Sequence, residues 1–158
     1  MQHGGSIPPR STYMKYRTTK TLSPLDAAYL AGLVDGEGTI ALSGPRHRQR
    51  NTRHPVISIA NTDYNLVQWP LKITGAGFIS KKGKKKLSHH LDSYIYAAHS
   101  NQALSIIAQI YPYLKNKSKR ARAKLLLEEY KEVTPRNGKY SPDLLIKRQR
   151  FEEVLFSL

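Results

Sequence analysis

Cysteine is absent from this 158-residue sequence. That excludes disulfides and thiolate metal sites and fits a reducing interior. Acidic residues are scarce: 11 Asp+Glu stand against 26 Lys+Arg, for a net charge of +15. No apolar run approaches the roughly 20 residues that span a bilayer, and no basic amphipathic helix dominates the charge. A membrane is therefore not the expected partner. The N-terminus lacks a clear apolar core, so no secretory signal is expected. No Gly-rich phosphate loop, catalytic triad or cofactor motif stands out. His89 and His90 are adjacent and cannot form an i, i+4 metal pair, and no histidine spacing suggests zinc. An intracellular protein is expected; mitochondrion, chloroplast and archaeal or bacterial cytoplasm all stay open.

Apolar content of 39% suits a folded chain, and the length suffices for one domain with its own core. A charge of +15 costs self-repulsion in the compact state. It implies a polyanionic partner, nucleic acid first. Residues 1–20 read as a basic flexible tail: Gly4-Gly5, Pro8-Pro9 and a polar mixture offer little to bury. Residues 21–158 read as the folded domain.

Ser23-Pro24-Leu25-Asp26 is a helix start, with Ser as cap, Pro first and an acid three residues after the cap. A helix over Pro24 to Asp35 follows, ended by Gly36 and Gly38. Short strands are expected over Thr39–Ser43 and Val56–Ala60, then a helix from Tyr64 to Thr74 that Pro70 should kink. Strands over Phe78–Ser80 and Asp92–Ala98 come next. The last of these alternates, with Tyr94 and Tyr96 on one face and Ser93 and Ile95 on the other. Asn101–Tyr111 reads as an amphipathic helix with Leu104, Ile107 and Ile110 inward. Helices from about Ser118 to Val133 and from Ser141-Pro142-Asp143 onward complete the chain. The order is αββαββα with C-terminal helical additions, an α+β fold. Two hairpins would form one antiparallel sheet, with helices on one face and the other face free for nucleic acid.

The most informative stretch is Leu30-Ala31-Gly32-Leu33-Val34-Asp35-Gly36-Glu37-Gly38. It puts two carboxylates at a helix C-terminus, where partial negative charge makes acids electrostatically misplaced unless a cation sits beside them. Ala28, Gly32 and Gly36 recur every four residues and share one helix face. The nonapeptide resembles the signature of the LAGLIDADG homing endonucleases, matching at Leu30, Ala31, Gly32, Leu33, Asp35 and Gly38, with Glu37 keeping the family's second carboxylate. The segment Pro112-Tyr113-Leu114-Lys115-Asn116-Lys117-Ser118-Lys119 also resembles the family's, which carries a catalytic-pocket lysine at the position of Lys117. Six of the ten residues from Lys115 to Lys124 are Lys or Arg, so the run alone does not single out Lys117. A solvated basic face or a plain phosphate anchor is the bland reading.

The resemblance implies a LAGLIDADG fold and a site-specific double-strand DNA endonuclease. Such an enzyme cuts a long pseudo-palindromic site and leaves short 3′ overhangs. No second motif is found in the chain, so it implies a homodimer joined through the motif helix at Ala28, Ala31, Gly32, Asp35 and Gly36. It implies Mg²⁺, with Mn²⁺ or Ca²⁺ able to substitute in binding. The metal positions would be Glu37 and Gly36, and the catalytic residues Glu37, Lys117, Asn61 and Asp35. Asp35 either contacts metal or supports the helix interface. Asn61 either organises water or caps the following helix, for which Asp63 is the better cap. Candidate DNA contacts are Ser43, Arg46, Arg48, Arg50, Arg53, Ser58, Ser80, Lys81, Lys82, Lys84, Lys85, Lys86, Asp92, Tyr94, Tyr96, Lys115 and Lys119, with Ser93 beside them. Two-stranded ribbons fit the major groove, and loop lysines reach phosphates. A one-residue error in register would reverse the face. Rival expectations are an RNA maturase and a non-catalytic DNA-binding protein of the same fold; a basic ribosome-associated protein is the blandest. An intron-encoded or free-standing gene is expected.

Overall fold

A computed structural model describes residues 19–45, 53–82 and 92–158. Its elements run α1 (Pro24–Glu37), β1 (Gly38–Ser43), β2 (His54–Asn61), α2 (Tyr64–Thr74), β3 (Phe78–Lys82), β4 (Ser93–His99) and α3 (Ser100–Ile110). A 3₁₀ turn (Tyr111–Tyr113), α4 (Lys117–Glu129) and α5 (Pro142–Ser157) follow. The four strands form one antiparallel sheet in the order β1-β2-β4-β3. The αββαββα core read from the sequence is present.

Four of the five helices among the described residues begin on a capping side chain; α3, which follows His99, does not. The Ser23 hydroxyl accepts the Asp26 N–H, and the Ser141 hydroxyl accepts that of Leu144. The Asp63 carboxylate accepts from Asn65. α2 ends on Gly75 at φ +63°, a left-handed cap suited to glycine. Pro70 sits inside α2 and is buried; it lacks an N–H, so the Leu66 carbonyl has no helical donor there.

Residue pairing divides the sheet into two faces. Ile40, Leu42, Ile57, Ile59, Tyr96 and Ala98 turn toward the helices and join the core with Leu30, Val34, Leu104, Ile107 and Ile110. Each such buried aliphatic side chain contributes about 1.5–3 kcal/mol. Thr39, Ser43, His54, Ser58, Ala60, Phe78, Ser80, Lys82, Ser93, Ile95 and His99 lie on the opposite face, which no described helix covers.

Two readings change here. α3 is not amphipathic in its setting: every residue from Ala103 to Ile110 is buried. It packs on β2 and β4 and is covered by α1 and α4. Its polar members are satisfied by the segment before α1. Gln109 accepts the Leu22 N–H at 2.7 Å and donates to Thr19 and Lys20, and Ser105 bonds the Thr19 hydroxyl. Thr19 and Lys20, assigned to the tail from sequence, are thereby held against the domain, with the Lys20 N–H on the Thr74 carbonyl.

α5 is fastened to the start of β2 by a buried ionic cluster. Arg148 is 0% exposed. It donates to Glu152 at 3.0 Å, to the Thr134 hydroxyl at 2.7 Å and to the Arg53 carbonyl at 2.7 Å. Its guanidinium also lies over the Tyr130 and Phe151 rings. Arg53 reaches the other oxygen of Glu152 at 3.1 Å. No helix among the described residues is long and apolar enough to cross a membrane.

Candidate nuclease site at the end of the first helix

α1 divides cleanly into two sides. Ala27, Leu30, Ala31 and Val34 face the subunit's core. Leu25, Ala28, Tyr29, Gly32, Gly36 and Glu37 are exposed, Leu25 at 84% and Tyr29 at 54%. A Cβ added at Gly32 or Gly36 would meet nothing within 4 Å. Glycine in a helix costs about 1 kcal/mol relative to alanine, and nothing among the described residues accounts for either one. Of the residues expected at a helix–helix seam, Ala28, Gly32 and Gly36 are on the open side. Ala31 is not: it is 0% exposed, one step around the helix, packed within its own subunit.

The two carboxylates of the motif go different ways. Asp35 accepts the backbone N–H of Lys115 at 2.8 Å and that of Asn116 at 3.1 Å. Asn116 is the N-cap of α4, so an acid at the negative end of α1 lies against the positive end of α4. The last carbonyls of α1 meet a cation. The Lys119 ammonium donates to Val34 and Asp35 carbonyl oxygens, each at 2.8 Å. Lys119, expected on DNA, is instead the clamp on the motif helix. Glu37, the last residue of α1, is exposed, and no described group bonds its carboxylate.

Gly38 follows as a close-packed pivot. A Cβ there would fall 2.7 Å from Val34 Cα and 3.0 Å from the Ser58 carbonyl. It pairs with Ile59 in β2. Glu37, one residue before, and Asn61, two residues after Ile59, therefore lie at the same end of the sheet. The Asn61 side-chain oxygen accepts the Asp63 N–H at 2.8 Å, an Asx turn that aims the strand into α2, while Asp63 caps the helix. Asn61 thus has a local structural task whatever else its amide does.

The lysine segment is set from three sides. Besides Asp35 and Lys119, Arg120 donates to the carbonyls of Tyr111 and Leu114 and stacks on the Tyr111 ring. Lys117 is the first residue of α4 and is exposed; Lys115 is exposed beside it. The first turn of α4 carries no acid. Cations there repel the helix dipole, a placement that an anion such as phosphate relieves.

On the open face of the sheet, Ser43, Ser58, Ser80, Lys82 and Ser93 stand as expected. Tyr94 and Tyr96 do not. They belong to the helix-side face: Tyr94 packs edge-on against Tyr64, and Tyr96 is 1% exposed. The Tyr96 hydroxyl donates to the Ala76 carbonyl at 2.9 Å and bonds Thr74, and burial raises its pKa. The alternation along β4 is as read from sequence, with the other face turned out. Lys81 is also on the helix-side register and pairs with Asp92 at 2.9 Å. Arg53 is committed to Glu152 and to the Phe156 ring. Arg46, Arg48, Arg50, Lys84, Lys85 and Lys86 lie outside the described residues. Thr39, His54, Phe78 and His99 reach the open face without having been foreseen; their alternation with Ile40, Pro55, Ile79 and Ala98 was the available signal.

No protein-family model matches this chain, and no curated protein matches it significantly. Solved structures do. The homing endonuclease I-CvuI, in complex with its target in the presence of Ca, aligns with a TM-score of 0.65 and 21% identity over 84% of this chain and 80% of that one. The archaeal intron-encoded homing endonuclease I-Vdi141I, complexed with DNA, gives 0.59 and 16% over 84% and 83%. The LAGLIDADG homing endonuclease I-GzeII, in complex with a DNA target, gives 0.50 and 18% over 71% of this chain and 35% of that one. The chain has the LAGLIDADG homing-endonuclease fold.

Proposed function

We propose that this chain is a homodimeric, divalent-metal-dependent DNA endonuclease that cuts both strands of a long pseudo-palindromic site and leaves short 3′ overhangs. The observation that carries the reading is the joint between α1 and the lysine segment. Asp35 and Lys115, 80 residues apart, are hydrogen-bonded. That bond, with the Lys119 clamp, holds the segments that carry the exposed Glu37 carboxylate and the exposed Lys117 ammonium together.

The exposed side of α1 supports the dimer. Gly32 and Gly36 let a second backbone approach closely, and Leu25 and Tyr29 extend the same side as apolar flank. A two-fold contact there brings both Glu37 residues near the axis. Among the described residues no three metal-ligating side chains cluster. An exposed carboxylate at a two-fold seam, completed by the partner's copy, phosphate and water, suits Mg²⁺, which takes oxygen ligands and keeps several waters. Glu37 would hold the metal, with the Gly36 backbone beside it. Bound there, Mg²⁺ supplies Lewis-acid stabilisation and an acidified water. Lys117 contributes positive charge to the scissile phosphate. Lys115 anchors a neighbouring phosphate, and the open sheet face follows the major groove. Retention of both Glu37 and Lys117 favours cleavage over a purely binding or maturase role.

On a plasmid carrying a site recovered by selection, the protein should linearise DNA with Mg²⁺ and not with chelator. Glu37→Gln should bind the site and fail to cut it. Cutting that persists in chelator refutes the metal role, and loss of binding in Glu37→Gln makes Glu37 structural.

A further inference from the structure

Phe78 opens β3 on the open face of the sheet. It is 51% exposed, and among the described strand residues it is the one large apolar side chain standing so far out in solvent. Val56 and Ile95, the branched apolar residues of the same face, are half-buried. The neighbouring positions on that face carry the short hydroxyls of Ser58, Ser80 and Ser93.

The ring is held from its backbone and from its side. Gly77, at φ +92°, lies so close to β4 that a Cβ would fall 2.6 Å from the Ala97 carbonyl oxygen and 2.8 Å from the Tyr96 ring. The turn before it is tied to the buried Tyr96 hydroxyl through Thr74 and the Ala76 carbonyl. Phe78 itself pairs with Ala97 in β4. The His99 imidazole stacks on the phenyl ring, with centroids 5.4 Å apart and planes 4° apart. A single exposed aromatic is ordinary on a protein surface. An aromatic with a pinned backbone and a stacked ring, on a face otherwise lined with hydroxyls, has little freedom left to lose when something covers it.

We propose that Phe78 is a specificity-determining residue that reads the C5-methyl group of one thymine per half-site in the major groove. The inference rests on the DNA-endonuclease reading above. Major-groove base edges present hydrogen-bond donors, acceptors and one apolar group, the thymine methyl. A phenyl ring neither donates nor accepts a conventional hydrogen bond. Laid on a polar edge, it strips water without replacing the bonds, at a cost in affinity. Laid on the methyl, it gains by burying apolar surface on both sides. The serine hydroxyls beside it serve donors and acceptors alike and discriminate weakly. The ring therefore supplies a preference that its neighbours lack.

The test removes the methyl and nothing else. Sites bound by the full-length protein are selected, without divalent metal, from a duplex pool randomised across the half-site. Each thymine of the selected site is then replaced in turn by deoxyuridine, and affinity is measured. At one position the replacement should weaken binding about fourfold per half-site, what burial of one methyl is worth, and about 15-fold when both half-sites carry it. In Phe78→Ser that loss should vanish. Thermal melts verify folding, and Phe78→Asn replaces Phe78→Ser if that variant does not fold. A ring that only supports His99 would instead lower affinity in the variant and leave the deoxyuridine loss in place. That result, or a selected site in which no thymine methyl matters, overturns the assignment. Failure to enrich any site overturns the DNA reading itself, and this inference with it.

Discussion

The ammonium of Lys119 donates to the backbone carbonyl of Asp35 at 2.8 Å. A second bond, to the Val34 carbonyl, has the same length. A cation from α4 therefore closes the C-terminus of α1 one turn before Glu37, while the Asp35 carboxylate closes the N-terminus of α4. Each helix end supplies the charge that the other lacks.

Lys119→Met removes both bonds and keeps much of the side chain's length. Each charge-assisted bond is worth about 1.5–3 kcal/mol, discounted here for partial solvent access. The expected loss is about 1–3 kcal/mol in denaturant unfolding, together with slower cutting because the end of α1 loosens. An unchanged unfolding midpoint would remove the clamp from the account.

Asp35→Asn leaves one side-chain oxygen where two accept backbone N–H groups. It should destabilise by about 1–3 kcal/mol. Glu37→Gln, on an exposed side chain that no described group bonds, should stay within about 0.5 kcal/mol of the parent. Unfolding curves for the two variants separate the structural acid from the reactive one.

Gly32→Leu and Gly36→Leu place side chains where one subunit has open space. The subunit should fold unimpaired, since leucine favours helix over glycine by about 0.5–1 kcal/mol. Light scattering should show monomers in place of dimers, and cutting should be lost. A variant that remains dimeric shows that this side of α1 is not the seam.

Arg148→Ala removes the buried guanidinium that pairs with Glu152 at 3.0 Å. Breaking a buried ion pair from one side costs about 3–5 kcal/mol. The expected result is a large drop in the unfolding midpoint, with α5 detaching from the start of β2. A surface-like change of under about 0.5 kcal/mol would contradict the burial of the cluster.

The His99 pKa is lowered in the folded protein from its ordinary 6.5. Below 6.5 the unfolded chain therefore binds more protons than the folded one, and stability falls as pH drops toward the folded-state value. His99→Asn should flatten that part of the pH–stability curve. An identical curve in the variant would show that His99 does not contribute to it.

The fold was legible because local signals agreed with one another. Ser23-Pro24, Asp63 and Ser141-Pro142 mark helix starts, and each caps as its chemistry requires. The alternation of β4 was equally plain, but not its outward side. That depended on Thr74 and Ala76, which receive the Tyr96 hydroxyl from a distant turn. Lys119 was hidden among six cations in ten residues; only the approach of α1, about 85 residues earlier in the chain, singles it out. Arg148 and Glu152 have the spacing of an ordinary exposed i, i+4 pair, and their burial involves Arg53, Thr134 and the Tyr130 ring, all contributed from outside the helix.

Recovery of cleaved duplexes from a randomised library, in Mg²⁺ and in chelator, tests the central claim most directly. Two subunits meeting at Gly32 and Gly36, with Glu37 over the seam, should yield a two-fold-symmetric consensus with both strands cut near its centre, and only when Mg²⁺ is present. Cleaved products with no symmetry, or products equally abundant in chelator, would contradict it.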